Sequence, residues 1–443
     1  MIKSQTRLDI GAWSLGFIKF MRKDLQPLIA GLDIGSSAIR IAIGQIANRG
    51  DGEENSELQI LGASSVPSAG VNKGVINSIE DVVSSVSACL EGAERMVGAP
   101  IDSAWVAISG LHIISQHSKG VVAVSKVDNE ISEEDVRRAI EASRAIATPL
   151  NYEVLHVLPK YFTIDGQSNV KDPVGMTGIR LEVDSQIILG SSSQIKNLTK
   201  AVYRTGLEIE DLVLGILASA DAVLTSRQKE IGVMVVNIGV ATTSLVVFEE
   251  GEIIHTAILP VGSEHITNDI AIGLRTSIDI AEAVKIEHGD CTPGQISKRE
   301  EIDLASLGSP EHEIIKKQYL SDIIEARVEE ILHMVDQELI KIKRNALLPS
   351  GVVFTGSGAK LAGLIELTKK QLRLPAVLGY PLGVVSATDK VNDLSFSTAV
   401  GLVKWGGKIQ AEGSSNTSKG GWGIGGVSRA GSRLKNWVKA LIP

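Results

Sequence analysis

One motif occurs twice, and it constrains the chain more than any other feature. The stretch IAGLDIGSSAIRIAIGQI (29–46) and the stretch VVNIGVATTSLVVFEEG (235–251) each hold an apolar run, a glycine turn with hydroxylated residues, and a second apolar run. They align without gaps, Asp33 over Asn237, Gly35 over Gly239 and Ile41 over Leu245, at a constant offset of 204 residues (33 to 237). β-Branched runs joined by a tight turn read as β-hairpins. Repetition at a fixed offset reads as two related domains that open on the same hairpin, with chance likeness of two hairpins as the bland alternative. From Leu28 onward short β-branched runs alternate with longer helical patterns, which indicates α/β units. A chain of 443 residues is long enough for roughly two to four domains.

Composition narrows the function classes. Hydrophobic residues make up 44% and charged residues 22%, the balance of an ordinary globular protein. A net charge of −8 and only 4% aromatics argue against nucleic acid as a partner. Cys89 and Cys291 form no CxxC or Cys/His cluster, so neither a zinc site nor a disulfide framework is expected. No apolar run reaches the roughly 18 residues that a membrane span needs. The stretch WSLGFIKFMRK (13–23) is broken by Lys19 and lacks a small-residue cleavage site. It is therefore read as an extension before the first domain, not as a signal peptide.

The turns carry the chemistry. Asp33 precedes Gly35, which lets backbone approach an anion, and Ser36 and Ser37 add hydroxyls. Successive N–H groups in such a turn form an anion-binding nest, and Asp33 suits a hydrated Mg2+ that bridges phosphates. The second hairpin repeats this with Gly239, Thr242 and Thr243. A third element, GVVFTGSGAKLAGLIEL (351–367), reads as a strand, a turn of Gly356, Ser357 and Gly358, and an amphipathic helix. The N-terminus of that helix favours a phosphate or ribose edge. Each turn alone is more often structural; the three in this order are more specific.

In this order they resemble the phosphate-1, phosphate-2 and adenosine elements of the actin and sugar-kinase ATPase superfamily. Within it, the chain resembles, as a divergent member, the FtsA family of bacterial cell-division proteins. The stretches that carry the likeness are SAGVNKGVINSIEDV (68–82), SKGVVAVSKVDNEISEEDV (118–136), DGQSNVKDPVGMTGIRLEV (165–183), HTAILPVGSEHITNDIAIGLRT (255–276), IIEARVEEIL (323–332) and RLKNWVKAL (433–441). The resemblance covers about residues 29–443. It implies an α/β, actin-like fold of duplicated ribonuclease H-like domains, with an inserted α+β subdomain and a C-terminal amphipathic helix.

The implied divisions are an extension (1–28), domain 1A (29–103, 184–230 and 386–405) and an inserted subdomain 1C (104–183). Domain 2A (231–258 and 335–385), subdomain 2B (259–334), a flexible linker (406–428) and the terminal helix (429–443) follow. The resemblance further implies ATP and Mg2+ as cofactors, filaments of the chain with itself, and the C-terminal tail of FtsZ and other membrane proteins of the division machinery as partners. The place implied is the cytoplasmic face of the cell membrane at the septum. FtsZ contacts are expected on 259–334, near Arg327. Carried over to this sequence, Gly262 would face the nucleotide. Glu282 and Lys285, three apart on one helical face, would flank ribose and base, the alternative being a solvated ion pair. Ser357 and Lys360 stand in the adenosine turn where small or apolar residues are more usual.

The chain also departs from the family pattern. Where the second hairpin usually reads Asp-Ile-Gly-Gly-Gly-Thr-Thr-Asp, residues 237–244 read Asn-Ile-Gly-Val-Ala-Thr-Thr-Ser. Asn237 brings no charge to offset Mg2+, and Val240 and Ala241 add Cβ atoms beside the phosphates. The connecting segment usually carries Glu-Pro, whereas LVLGILASADAVL has Gly215 and Ile216. Very slow or absent hydrolysis is expected, with Asn237→Asp and Gly215→Glu together restoring turnover.

In SRLKNWVKALI, Leu434, Trp437, Val438 and Leu441 fall at i, i+3, i+4 and i+7, with Arg433, Lys435 and Lys439 beside or opposite them. Such a helix, about 15 Å long, is half of a roughly 30 Å hydrocarbon core and suits the plane of the interface. Docking on the protein's own core or a partner's groove is the alternative. Two other functions stay open: a sugar or acetate kinase, disfavoured by the missing carboxylate, and an actin-like scaffold for a type IV pilus.

Overall fold

The computed structural model describes residues 27–47, 57–145, 148–309 and 312–415. The first sheet opens with antiparallel strands β1 (Ile29–Ile34), β2 (Ala38–Ala47) and β3 (Glu57–Pro67). A ribbon of β4 (Val71–Asn72) and β5 (Val75–Ile76) leads to helix α1 (Ile79–Val97), and β6 (Ser103–Ile108) lies parallel to β1. There the chain leaves the sheet. Strands β7 (Ile113–Ala123), β8 (Tyr152–Ile164), β9 (Gln167–Val170) and β10 (Arg180–Ser191) form a sheet of their own, in the order β7-β10-β8-β9. Helix α2 (Glu133–Arg144) packs on it, started by a capping box in which Ser132 and Asp135 bond each other's backbone. Helix α3 (Ser192–Tyr203) returns the chain to the first sheet, where β11 (Glu208–Leu214) lies parallel to β6.

After helices α4 (Gly215–Val223) and α5 (Ser226–Ile231), the second sheet repeats the plan. Strands β12 (Val233–Ile238), β13 (Thr243–Glu249) and β14 (Glu252–Leu259) are antiparallel. Helices α6 (Ser263–Leu274) and α7 (Ile278–His288), a ribbon of β15 (Glu301–Asp303) and β16 (Ile314–Lys316), and the long α8 (Lys317–Lys341) follow. Strand β17 (Val352–Thr355) then lies parallel to β12, and after α9 (Leu364–Leu372) β18 (Ala376–Leu378) lies parallel to β17. The order β14-β13-β12-β17-β18 thus matches β3-β2-β1-β6-β11. Strand β19 (Val384–Ser386) crosses back to pair with β3, and α10 (Ser397–Ser415) ends the described chain.

The hairpins share their register as well. Asp33 pairs with Arg40 and Ile34 with Ile39; 204 residues on (33 to 237), Asn237 pairs with Ser244 and Ile238 with Thr243. Helices α4 and α10 lie between the two sheets. Every residue of α4 is buried, as a helix apolar all round requires, and one core unites α4 and α10 with residues of both sheets, such as Trp105 and Val235. The helices cross in near backbone contact: a Cβ on Gly401 would lie 1.8 Å from the Ala218 carbonyl oxygen.

Several expected limits move. Residues 104–108 complete β6 of the first sheet and 184–191 complete β10 of the insertion, so hydrogen-bonded pairing shifts the 104–183 estimate at both ends. The division at 334/335 falls inside the continuous helix α8. The linker expected from 406 begins inside α10, because Gly406 and Gly407 are buried against Ile29 rather than free. The extension 1–26 and the expected membrane helix 429–443 lie outside the described residues. Among the described residues, no helix is long and apolar enough to cross a membrane.

Candidate nucleotide site

The turns of both hairpins open on one cleft of about 710 Å3, counting its open mouth. Asp33, Gly35, Ser36 and Ser37 line it from the β1–β2 turn, Asn237, Gly239 and Thr242 from the β12–β13 turn, and Gly356 and Ser357 from the turn after β17. Nine of the residues expected from sequence are therefore brought together. Each hairpin closes alike, with the Gly35 N–H donating to the Ala38 oxygen (3.2 Å) and the Gly239 N–H to the Thr242 oxygen (2.9 Å). Gly356 has φ +89°, and a Cβ there would lie 2.4 Å from Asn237 Oδ1, so only glycine fits.

Charge in the cleft sits on the first hairpin. Burial pushes the Asp33 carboxyl up to about 6, and the Arg40 guanidinium opposes that rise. Arg40 also lines the cleft, lies 6.0 Å from the centre of the Phe396 ring, and has its Nε buried without a partner. Sequence reading missed Arg40, although its pairing position opposite Asp33 followed from the hairpin. It also missed Ser109 just past the end of β6, Ser395 in the short turn before α10, and Thr398 in the first turn of α10. Small residues at the ends of elements were the available signal.

The second hairpin is tied to its surroundings instead. The Asn237 amide donates to Ser219 Oγ (3.2 Å) and to Thr398 Oγ1 (3.5 Å), joining the hairpin to α4 and α10. Asn237 is thus a cross-link between the two halves.

Six expected contacts are placed elsewhere. Thr243 is fully buried and donates its hydroxyl to the Val261 oxygen (2.8 Å), because it already lies within strand β13. Gly262 packs against the hairpin's backbone, where a Cβ would meet Val240 O at 2.4 Å and Gly239 O at 2.7 Å. The first N–H groups of α6, from Ser263 and Glu264, go to those same carbonyls at 2.9 Å each, so that helix end is satisfied without a ligand. Gly358 lies against Ile238. It belongs to a 3-10 turn, Ser357–Lys360, so that α9 begins only at Leu364 and its N-terminus does not directly follow the glycine turn. Lys360 bonds Asp393 at 2.5 Å.

Lys285 bonds Glu282 (2.6 Å), Thr267 Oγ1 (2.7 Å) and the Ser263 oxygen (3.3 Å). The pair therefore adjoins the cleft only through Ser263, and Lys285 is held against α6 rather than solvated. The expected membrane residues Arg433, Leu434, Lys435, Trp437, Val438, Lys439 and Leu441 lie outside the described residues.

Known proteins share this architecture. A family model described as cell division protein FtsA matches residues 234–401, and one described as the SHS2 domain inserted in FTSA matches 110–189. The cell division protein FtsA of Pseudomonas aeruginosa is 36% identical over 414 residues, covering 93% of this chain and 97% of that protein. That of Bacillus subtilis is 37% identical over 378 residues (85% and 83%), and that of Escherichia coli K12 is 32% identical over 421 residues (94% and 96%). Among solved structures, the PilM-PilN type IV pilus biogenesis complex matches with TM-score 0.61 at 18% identity, over 86% of this chain and 98% of that one. MreB 5 of Spiroplasma citri bound to AMPPNP matches with TM-score 0.50 at 13% identity, over 89% and 99%. Those two likenesses show the fold alone, which is actin-like. The curated relatives, similar along nearly the whole length, show that the chain belongs to the FtsA family of bacterial cell-division proteins.

Proposed function

We propose that this chain binds ATP in the cleft between its hairpins, polymerises, and tethers FtsZ to the cytoplasmic face of the cell membrane at the septum. The observation that carries the reading is the convergence of three glycine turns, from both halves of a duplicated fold, on one polar cleft. The AMPPNP-bound neighbour agrees with ATP as the ligand. Asp33 would hold the hydrated Mg2+ that accompanies ATP, and a cation there favours the ionised form that burial disfavours. Mg2+ supplies charge neutralisation of the phosphates when bound.

Hydrolysis is proposed to be very slow. Asp33 is the only carboxylate lining the cleft among the described residues, and the Asn237 amide is engaged with Ser219 and Thr398. Nucleotide then acts as a clamp between the halves. The C-terminal amphipathic helix supplies membrane attachment, and FtsZ's C-terminal tail docks on the 259–334 region. Other membrane proteins of the division machinery complete the partner set.

Titration of the full chain with ATP and Mg2+ tests the clamp. Ser37→Trp and Thr242→Trp fill the cleft from opposite turns, and each is expected to abolish binding. Undiminished binding in both would sink the reading, and turnover like that of a chaperone ATPase would sink the slow-hydrolysis part. Capture of an FtsZ C-terminal peptide tests the tether, and Trp437→Glu in vesicle sedimentation tests the anchor.

A further inference from the structure

We propose that the cavity between α4, α5 and α10 is a second ligand site, which binds a phosphate group with a neighbouring hydroxyl, the chemistry of a phosphorylated polyol. The proposal goes beyond the reading above and needs neither ATP, nor FtsZ, nor the terminal helix.

Three lysines converge there on one carboxylate. Asp221, buried on α4, accepts on Oδ1 from Lys408 of α10 at 2.5 Å and from Lys229 of α5 at 3.4 Å. Lys404, one turn before Lys408, adds a third ammonium and donates to the Leu382 oxygen at 3.1 Å. Among the described residues, Asp221 is the only acid in an ion pair with any of the three. On a chain of net charge −8, this one spot holds an excess of two positive charges. Burial lowers the Lys229 and Lys404 ammonium groups from their ordinary range; Asp221 opposes that fall in both, and Lys408 adds to it. Burial alone would raise the Asp221 carboxyl, yet Lys408, Lys229 and Lys404 hold it below its ordinary value. Partly buried cations crowded in this way are costly until an anion joins them, and a doubly charged phosphate balances the excess.

The second oxygen of Asp221 points to what else the ligand carries. Oδ2 is buried and has no partner, and a buried acceptor without a donor costs its desolvation. Phosphate oxygens suit the ammonium groups but are repelled by Oδ2, whereas a hydroxyl donates to it. The cavity measures about 420 Å3, counting its open mouth, and is walled by Leu217, Phe248, Ile253 and Trp405. These apolar walls strengthen the attraction between opposite charges. The Lys229 ammonium lies 5.1 Å from the centre of the Phe248 ring, and the exposed Lys408 stands at the mouth.

The site is separate from the nucleotide cleft. Phe248 pairs with Ile253 at the end of the β13–β14 hairpin remote from Thr242. Lys408 lies ten residues (398 to 408) beyond Thr398 of the cleft, about 15 Å along α10. The same chemistry can arrive free in solution or as a lipid headgroup, and the test separates the two.

The full chain is titrated calorimetrically with sn-glycerol 3-phosphate and with inorganic phosphate. Glycerol 3-phosphate should bind more tightly. Lys229→Gln and Lys408→Gln should each weaken both ligands about 10-fold, the worth of one charge-assisted contact, with thermal unfolding checking the fold. Asp221→Asn keeps the shape and removes the competing charge. Inorganic phosphate should then bind at least as tightly, while the preference for glycerol 3-phosphate shrinks; a purely structural Asp221 would weaken both. For the lipid source, the Trp437→Glu chain is sedimented with phosphatidylglycerol vesicles. Binding that Lys408→Gln lowers, without binding of the soluble ligands, assigns the site to a headgroup. Equal affinity for the two soluble ligands would overturn the part given to the hydroxyl. No binding to either ligand or to the vesicles, or binding unmoved by both lysine variants, would overturn the proposal.

Discussion

Across the first hairpin Asp33 stands opposite Arg40, and at the same place in the second Asn237 stands opposite Ser244. The backbone register is unchanged; an acid and a base have become an amide and a hydroxyl. Their supports differ too. Beyond its own closing bond, the first turn accepts one N–H on a hydroxyl, Gly74 to Ser36 Oγ at 3.1 Å, and one on a carbonyl, Ser68 to the Ser37 oxygen at 3.0 Å. The second turn receives Ser263 and Glu264 N–H groups on its carbonyls, and Asn237 and Thr243 bond residues outside the hairpin. A duplicated frame thus carries two jobs: one hairpin presents charge to a ligand, and the other holds the halves together.

The largest effect should come from loosening the clamped side. In Gly262→Ala the new Cβ meets backbone oxygens at 2.4 and 2.7 Å, and neither can swing aside. A loss of about 3 kcal/mol or more is expected from overpacking against main chain, read as a fall in the urea midpoint. Gly35→Ala, whose Cβ meets only the Ala38 oxygen at 2.9 Å, should cost about half as much. Equal losses would mean that the packing of α6 on the second hairpin is no tighter than the first turn's own closure.

Next comes the charged side. Arg40→Met keeps an unbranched stem near Phe396 but removes the guanidinium, the only cation lining the cleft among the described residues. ATP affinity should fall roughly 10- to 30-fold, the worth of one charge-assisted phosphate contact, with the urea midpoint nearly unchanged. Ser244→Ala, at the equivalent place, should change affinity less than about twofold. A larger loss at Ser244 than at Arg40 would reverse the assignment.

Much of this frame was legible in the sequence. The 204-residue repeat (33 to 237) gave the two sheets, because register follows from alternation and turn length. The cleft residues on the turns themselves followed from the same alignment. Contacts that depend on how helices pack did not follow. Gly262 was assigned to the nucleotide, yet its lack of a Cβ serves the close approach of α6 to the hairpin. Glycines at 406 and 407 read as a linker, yet they let α10 lie against Ile29. The same blindness affects the rescue of hydrolysis. A Cβ on Gly215 would lie 2.4 Å from Ser109 Oγ, so Gly215→Glu beside Asn237→Asp must turn the Ser109 hydroxyl to another rotamer before turnover can rise.

A smaller effect follows from Asp33. Its carboxyl titrates near 6 in the fold against an ordinary value of 3.8, so the folded chain holds that proton more tightly than the unfolded one. Stability from this group is therefore highest below pH 3.8 and declines as pH rises through about 6. Asp33→Asn should stabilise the ligand-free protein by about 1 kcal/mol at pH 8, less than the full shift implies because solvent in the open cleft screens the charge. At pH 4 the gain should vanish. Thermal unfolding at the two pH values reads it, and a gain that persists at pH 4 would show that the carboxyl is not disfavoured by its charge.

The least effect belongs to Lys360, which the family likeness places at the adenosine and the structure places on Asp393. Both side chains are substantially exposed, and exposed pairs contribute about 0–1 kcal/mol. Asp393 does not depend on the lysine for its position. Its Oδ1 accepts from the Ser395 N–H (2.9 Å) and hydroxyl (2.8 Å), which caps the short turn that carries Ser395 into the cleft. Lys360→Met should therefore leave ATP affinity within about twofold and stability within about 0.5 kcal/mol. A tenfold loss of affinity with stability unchanged would return Lys360 to the nucleotide. It would also mean that the third turn, and not only the first hairpin, brings charge to the ligand.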